Sequence, residues 1–118
     1  MDIEAVREFC LSLPHVTEDI QWEHDLLFRI GGKIFAVVVL DQKYETKMSF
    51  KCSPDKFAEL IEQDGIIPAP YVARYHWVAL ERMDALPERE LKSLLRKGYD
   101  LVLEKLPKKT RKQLKVGK

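Results

Sequence analysis

The sequence predicts a single α+β domain, an antiparallel β-sheet with three helices packed mainly on one face. Three observations carry this expectation. Two strand-like runs, Leu26–Ile30 and Ile34–Leu40, flank Gly31-Gly32, a pair able to take the positive φ angles of a two-residue hairpin turn. Ser53-Pro54-Asp55 follows a third alternating run and supplies a hydroxyl cap, a proline at the first helical position and an acid in the first turn. Apolar residues recur at helical spacing near both ends of the chain.

Taken in order, Ile3, Val6, Cys10 and Leu13, widened by Phe9, form the stripe of a first helix. Asp2 can cap it, and Pro14 stops it because proline cannot continue the hydrogen-bond ladder. A polar connection through His15 and Thr17 leads to a short strand around Ile20–Glu23, with Trp22 packed under a turn. The run Ile34–Leu40 is apolar on both faces and is therefore expected in the middle of the sheet. Thr46, Met48 and Phe50 alternate with Lys47, Ser49 and Lys51, one face for the core and one for water. Phe57, Leu60 and Ile61 mark the buried stripe of the second helix, and Gly65 ends it. Residues Ile66–His76 read as a loop ordered by Pro68 and Pro70, and Trp77–Leu80 as a strand. The last helix starts in Asp84–Pro87 and carries Leu91, Leu94, Leu95, Val102 and Leu106, with Gly98 on the same stripe, where it permits close approach to the sheet. The expected core is Phe9, Phe35 or its neighbour Ile34, Val38, Met48, Phe50, Phe57, Leu60, Trp77, Leu94 and Val102.

At 118 residues, 46% apolar and 33% charged, the chain is long enough for one core without staples. Residues 1–107 are expected to form the domain and residues 108–118 a basic tail. No signal peptide is visible at the N-terminus, and the longest apolar run falls far short of the ~20 residues of a membrane helix. Cys10 and Cys52 have no framework spacing, so they are expected to be reduced, in a cytoplasmic protein that does not meet a membrane. The charge is unevenly distributed. Up to Lys105 fourteen basic residues face nineteen acidic ones, whereas the six basic residues from Leu106 onward face none. A basic tail attracts phosphate, and it also reads as a solvated, frayed end.

No catalytic triad, phosphate loop or metal cluster is present in the sequence. His15, His24 and His76 are dispersed, and neither cysteine has a partner at metal-binding spacing. A Cys52 nucleophile needs a neighbouring base that the sequence does not nominate. The acids Asp2, Glu4 and Glu8 on the first helix, with Glu18, Asp19, Glu23 and Asp25 after it, read as a solvated face, although hard cations favour carboxylates. The expectation is therefore no catalytic residue, no metal and no cofactor.

Several segments together resemble the MmcQ/YjbR family of small bacterial proteins. They are Gly32-Lys33-Ile34-Phe35-Ala36, the Lys51 … Pro54 helix start, Pro68 … Tyr71 … Trp77, and the ending Tyr99 … Leu106-Pro107-Lys108. The likeness runs from about Ile3 to Lys108 and rests on order and spacing. The resemblance implies a frataxin-like (CyaY-like) fold and a "double-wing" architecture from which DNA binding has been proposed by analogy. It implies no shared enzymatic activity.

The residues that fit nucleic acid are Arg29, Lys33, Lys47, Lys51, Tyr71, Arg74, Tyr75, His76, Lys108 and Lys109. The cations would meet phosphates and the aromatic rings would stack on bases. Each also has a plainer reading: strand lysines on a solvent face, and a proline-ordered loop sealing the sheet edge. The sequence thus points to a non-enzymatic, monomeric nucleic-acid (DNA) binding protein. The alternative is a protein-interaction or small-ligand-binding module using the Pro68–Trp77 loop.

Overall fold

The computed structural model describes residues 1–41 and 43–116, with side chains through residue 114. Its core is one six-stranded antiparallel sheet in the order β1-β2-β3-β4-β6-β5. The strands are β1 (Thr17–Gln21), β2 (Asp25–Ile30), β3 (Lys33–Val39), β4 (Met48–Lys51), β5 (Ile66–Pro68) and β6 (Trp77–Leu80). Four α-helices accompany them: α1 (Ile3–Ser12), α2 (Pro54–Leu60), α3 (Glu88–Lys105) and α4 (Lys108–Val116).

The hairpin forms as its turn chemistry requires. Gly31 and Gly32 have φ of 59° and 83°, and β2 pairs with β3 from Asp25↔Val39 to Ile30↔Lys33. The register shifts between Phe28 and Arg29, which face Ala36 and Ile34. Phe35 is the extra residue of this bulge, so Phe35 and Ala36 are both buried while Ile34 is half-exposed. Alternation alone leaves the choice between Phe35 and Ile34 open; the bulge makes it. As its two-sided apolar pattern predicts, β3 is an interior strand.

Three helix boundaries follow the sequence signals. The Asp2 carboxylate accepts from the Ala5 N–H at 2.8 Å, and the Ser53 hydroxyl accepts from the Lys56 N–H at 3.2 Å. Each satisfies a donor that the helix itself leaves free. α3 begins just after Pro87 and, with 18 residues, spans roughly 27 Å. It lies against β3 and β4, and α1 packs on α3.

The structure corrects the sequence reading in several places. There are four α-helices where three are expected, because residues Lys108–Val116 fold as α4; Lys118 and the side chain of Lys115 lie outside the described residues. The first strand runs from Thr17 to Gln21, so Trp22 and Glu23 sit in the turn at φ of 51° and 68°, and Trp22 is 68% exposed. The Ile66–His76 segment is not a plain loop: Ile66–Pro68 pairs with β6 as an edge strand, where Pro68 need not donate, and Ala73–Tyr75 forms one 3₁₀ turn. Phe9, Phe57 and Trp77 are half-buried, not core. Trp77 pairs with Lys51 on the solvent-facing side of its strand, whereas Val78 and Leu80 enter the core.

The core holds Phe28, Phe35, Val38, Met48, Phe50, Leu60, Leu94 and Val102, with Tyr99 edge-on to Phe35 at 5.7 Å between centroids. One close approach there is between backbones. A Cβ at Gly98 would lie 2.5 Å from the Lys51 carbonyl oxygen, so α3 can cross the sheet this closely only without a side chain there. Replacing an ordinary helical glycine by alanine stabilises by up to ~1 kcal/mol. Gly98→Ala should instead destabilise, by roughly 1–3 kcal/mol in urea unfolding. A gain in stability would mean that α3 does not sit this close.

Candidate functional site

Antiparallel pairing places the two ends of the sheet in opposition. At one end lie the Gly31-Gly32 turn, Thr17 opposite Arg29, Lys51 opposite Trp77, and the Ala69–His76 connection. At the other lie the β1–β2 turn, the β3–β4 connection and the segments flanking β5 and β6. Nine of the ten residues that fit nucleic acid gather at the first end. Lys47 is the exception: its N–H donates to the Leu80 carbonyl and its ammonium donates to the Tyr44 carbonyl, at the opposite end. Strand alternation puts Lys47 and Lys51 on one face but says nothing of the distance along the strand.

α3 and α4 close this end. Leu106 and Thr110 lie against the Gly31 turn: a Cβ on Gly31 would meet Leu106 at 2.5 Å and Thr110 at 3.2 Å. That contact seats α4, with Lys108 and Lys109 exposed, beside the turn that carries exposed Lys33. The sequence reading passes over Lys105 and takes Arg111 and Lys112 only as part of the basic tail. The signal was present, since Leu106, Thr110 and Leu114 recur every four residues and place the intervening cations on the remaining faces of a helix.

The nominated side chains differ in freedom. Arg29 is committed: its guanidinium donates to Asp19 at 2.9 Å and to the Gly32 carbonyl at 3.1 Å, and this pairing holds the Asp19 carboxyl below its ordinary range. Lys51 donates to the Tyr75 carbonyl at 2.8 Å. Burial, then the nearby Lys105 ammonium, lower its pKa from the usual lysine value, so Lys51 anchors the aromatic loop. His76, at φ of 65°, is half-buried with its ring edge-on to Phe57 at 5.7 Å, and its carbonyl accepts from the Cys52 N–H at 2.9 Å. That packing takes His76 out of the stacking set. Tyr71 is 99% exposed, and the Arg74 guanidinium lies 4.9 Å from the centroid of the half-exposed Tyr75 ring. Tyr71 and the Arg74–Tyr75 pair are thus presented to solvent.

Acids concentrate at the other end: Glu23 and Asp25 at the β1–β2 turn, Asp41 and Glu45 between β3 and β4, Asp64 before β5, and Glu81 and Asp84 after β6. Arg82 there is engaged by Asp64 and Asp84. The separation is partial, since Asp55 and Glu104 lie at the Gly31 end and Lys43, Lys47 and Arg82 at the other.

Neither thiol is set up as a nucleophile. Cys52 is buried and its Sγ–H donates to the His76 carbonyl; burial pushes its pKa up to about 11, and that of Cys10 to about 12. A nucleophilic thiol needs the opposite shift. Among the described residues no three His, Cys, Asp or Glu side chains are grouped to hold a metal, and no helix is long and apolar enough to cross a membrane. A cavity lies between the α1–β1 connection, α3 and α4.

A six-stranded antiparallel sheet with a bulged hairpin, followed by a long helix laid across it, defines a small α+β domain. Residues 11–101 match the YjbR family model, and the chain belongs to that family. It is 27% identical to an uncharacterized protein, YbdF, of Escherichia coli O157:H7, with 97% of this chain and 94% of the relative covered. A crystal structure of a Deinococcus radiodurans protein with a DUF419 domain superposes with a TM-score of 0.82 at 28% identity, covering 95% of this chain and 86% of that one. A Pseudomonas syringae protein shares the fold with a TM-score of 0.71 at 19% identity, over 86% of this chain and 98% of its own.

The raised thiol pKa values carry a signed consequence. Above the ordinary thiol value of 9.0 the unfolded chain loses thiol protons that the folded chain keeps, so stability should fall as pH rises from there through about 11. Cys10→Ser with Cys52→Ser should flatten that decline in urea unfolding. Ellman's reagent at pH 8 should titrate both thiols only after denaturation; rapid reaction of native Cys52 would contradict its burial.

Proposed function

We propose that this domain is a non-enzymatic nucleic-acid binding protein whose contact surface is the Gly31 end of the sheet. The observation that carries the reading is the separation of charge along the strands. Lys33, Arg74, Lys105, Lys108 and Lys109 share one end with exposed Tyr71 and Tyr75, and the turn acids occupy the other. An excess of cations at one end attracts a polyanion to that end before contact, which raises the rate of productive encounter.

Phosphates meet the lysines on the hairpin and on α4, while Tyr71 and the Arg74–Tyr75 pair supply rings for unpaired bases. Stacking on such a ring is worth about 1–3 kcal/mol per base. Lys51 holds the loop from beneath, and Arg29, paired with Asp19, supports the turn without reaching out. The fold implied by the family resemblance, with its winged sheet, is consistent with this surface, and DNA is the partner to test first. Lys47 is not part of it.

Fluorescence anisotropy with a single-stranded DNA oligomer and its duplex should show the logarithm of the affinity falling linearly with the logarithm of salt concentration. Lys33→Glu with Lys109→Glu should weaken binding at least ~10-fold, since two phosphate contacts become repulsions. Lys43→Glu, half that change of charge at the opposite end, should leave it within about twofold if contact is local to the Gly31 end. Tyr71→Ala should weaken the single strand more than the duplex. A loss from Lys43→Glu half as large, on a logarithmic scale, as that from the double variant would mean that net charge alone is sensed, and the assigned surface would be wrong.

A further inference from the structure

We infer that the cavity beneath α4 is a binding site for a small organic anion, one with an oxyanion head and an apolar body. The cavity has a volume of about 480 Å³, within the range of small-molecule sites. Pro14, Leu103, Leu114 and the Tyr99 ring form its apolar wall, and Arg96, Lys108, Arg111 and Lys112 bring four cations to it against the single acid Glu104.

Two atoms say what the cavity lacks. Among the described residues, the side-chain nitrogens or oxygens that are buried without a hydrogen-bond partner are His15 Nε2 and Arg111 Nε, and both residues line this cavity. A buried guanidinium N–H left unpaired is costly, because it gives up its hydration for nothing. Two such groups from elements far apart in sequence, meeting at one cavity, fit an acceptor with more than one oxygen. A carboxylate or a phosphate monoester has that form and draws charge-assisted hydrogen bonds from Arg111. His15 Nε2, carrying its proton, donates to the same head.

The walls hold their places without the ligand. The Tyr99 hydroxyl donates to the Pro14 carbonyl at 2.7 Å, tying the α1–β1 connection to α3. His15 follows at φ of 65°, a left-handed conformation uncommon for a residue with a side chain. Arg96 lies 5.5 Å from the Tyr99 ring centroid and 3.3 Å from the Asp100 carboxylate, which positions its charge at the rim. The head sits with Arg111 and His15, and the apolar body lies along Leu103, Leu114 and Pro14. α4 contributes one wall, so occupancy holds it against the domain.

The test is direct titration of the full chain, followed by NMR and thermal unfolding, with sodium decanoate, decyl phosphate, decanol and acetate. Decanoate or decyl phosphate should bind saturably, shift the Tyr99, Leu103 and Leu114 resonances, and raise the melting temperature. The tighter of the two identifies the head. Decanol lacks the charge and acetate lacks the body, so both should bind at least ~10-fold more weakly. Arg111→Met should weaken the preferred anion at least ~10-fold on the same grounds. Leu103→Trp, which fills the cavity without removing a charge, should block it and keeps the test decisive if Arg111→Met loosens α4. Lys33→Glu with Lys109→Glu should leave anion binding intact, because neither residue lines the cavity; the site therefore stands or falls apart from the nucleic-acid reading. Decanol binding as tightly as decanoate, anion binding unchanged in both Arg111→Met and Leu103→Trp, or resonance shifts confined to other surfaces would overturn the assignment.

Discussion

The near-contact of α3 with the sheet at Gly98 is the constraint on which the rest of this structure depends. The helix crosses where the Lys51 carbonyl leaves no room for a Cβ. That crossing sets the height at which Tyr99 packs edge-on to Phe35 and lets its hydroxyl reach the Pro14 carbonyl. It also fixes where α3 ends. Because the helix ends with Leu106 against the Gly31 turn, the basic helix that follows is delivered to the same end of the sheet as the hairpin. A backbone contact in the core thus positions the surface charge.

The two proposed surfaces share this frame but differ in chemistry. The outer surface, from Lys33 to Tyr71, is open and cationic with exposed rings, suited to a long polyanion that is held by many weak contacts. The cavity between α3 and α4 is apolar with two unpartnered nitrogens, suited to a small ligand held by a few directed ones. Both depend on α4, which is seated by Leu106 and Thr110. The thiols take no part, since burial raises both of their pKa values.

The membership in the YjbR family fits a fold whose landmarks are local. The Gly31-Gly32 turn, the Ser53-Pro54 helix start and the Gly98 approach each follow from one or two residues, which is why they can be read without coordinates. The bulge at Phe35 cannot be, because a shift in register belongs to the pair of strands and leaves no mark on either one. Trp77 was misplaced for a related reason. Its size suggests the core, but alternation along a short strand gives two faces without saying which is inner, and Val78 and Leu80 take the inner one.

The sequence by itself determined the α+β class, the central hairpin, the second helix with its hydroxyl cap, the close-approach glycine and the identity of most cations on the proposed surface. Each depends on neighbours along the chain, through periodicity, capping or backbone freedom. Tertiary structure alone decided which cations stand together. Lys47 and Lys51 share a strand face but end up at opposite poles, while Lys33 and Lys109, far apart in sequence, come to the same end. His15 and Arg111 meet at one cavity only because Leu106 and Thr110 seat α4 against the turn. The physical reason is that charge and hydrogen-bond demand act through space, and the antiparallel register sets those distances.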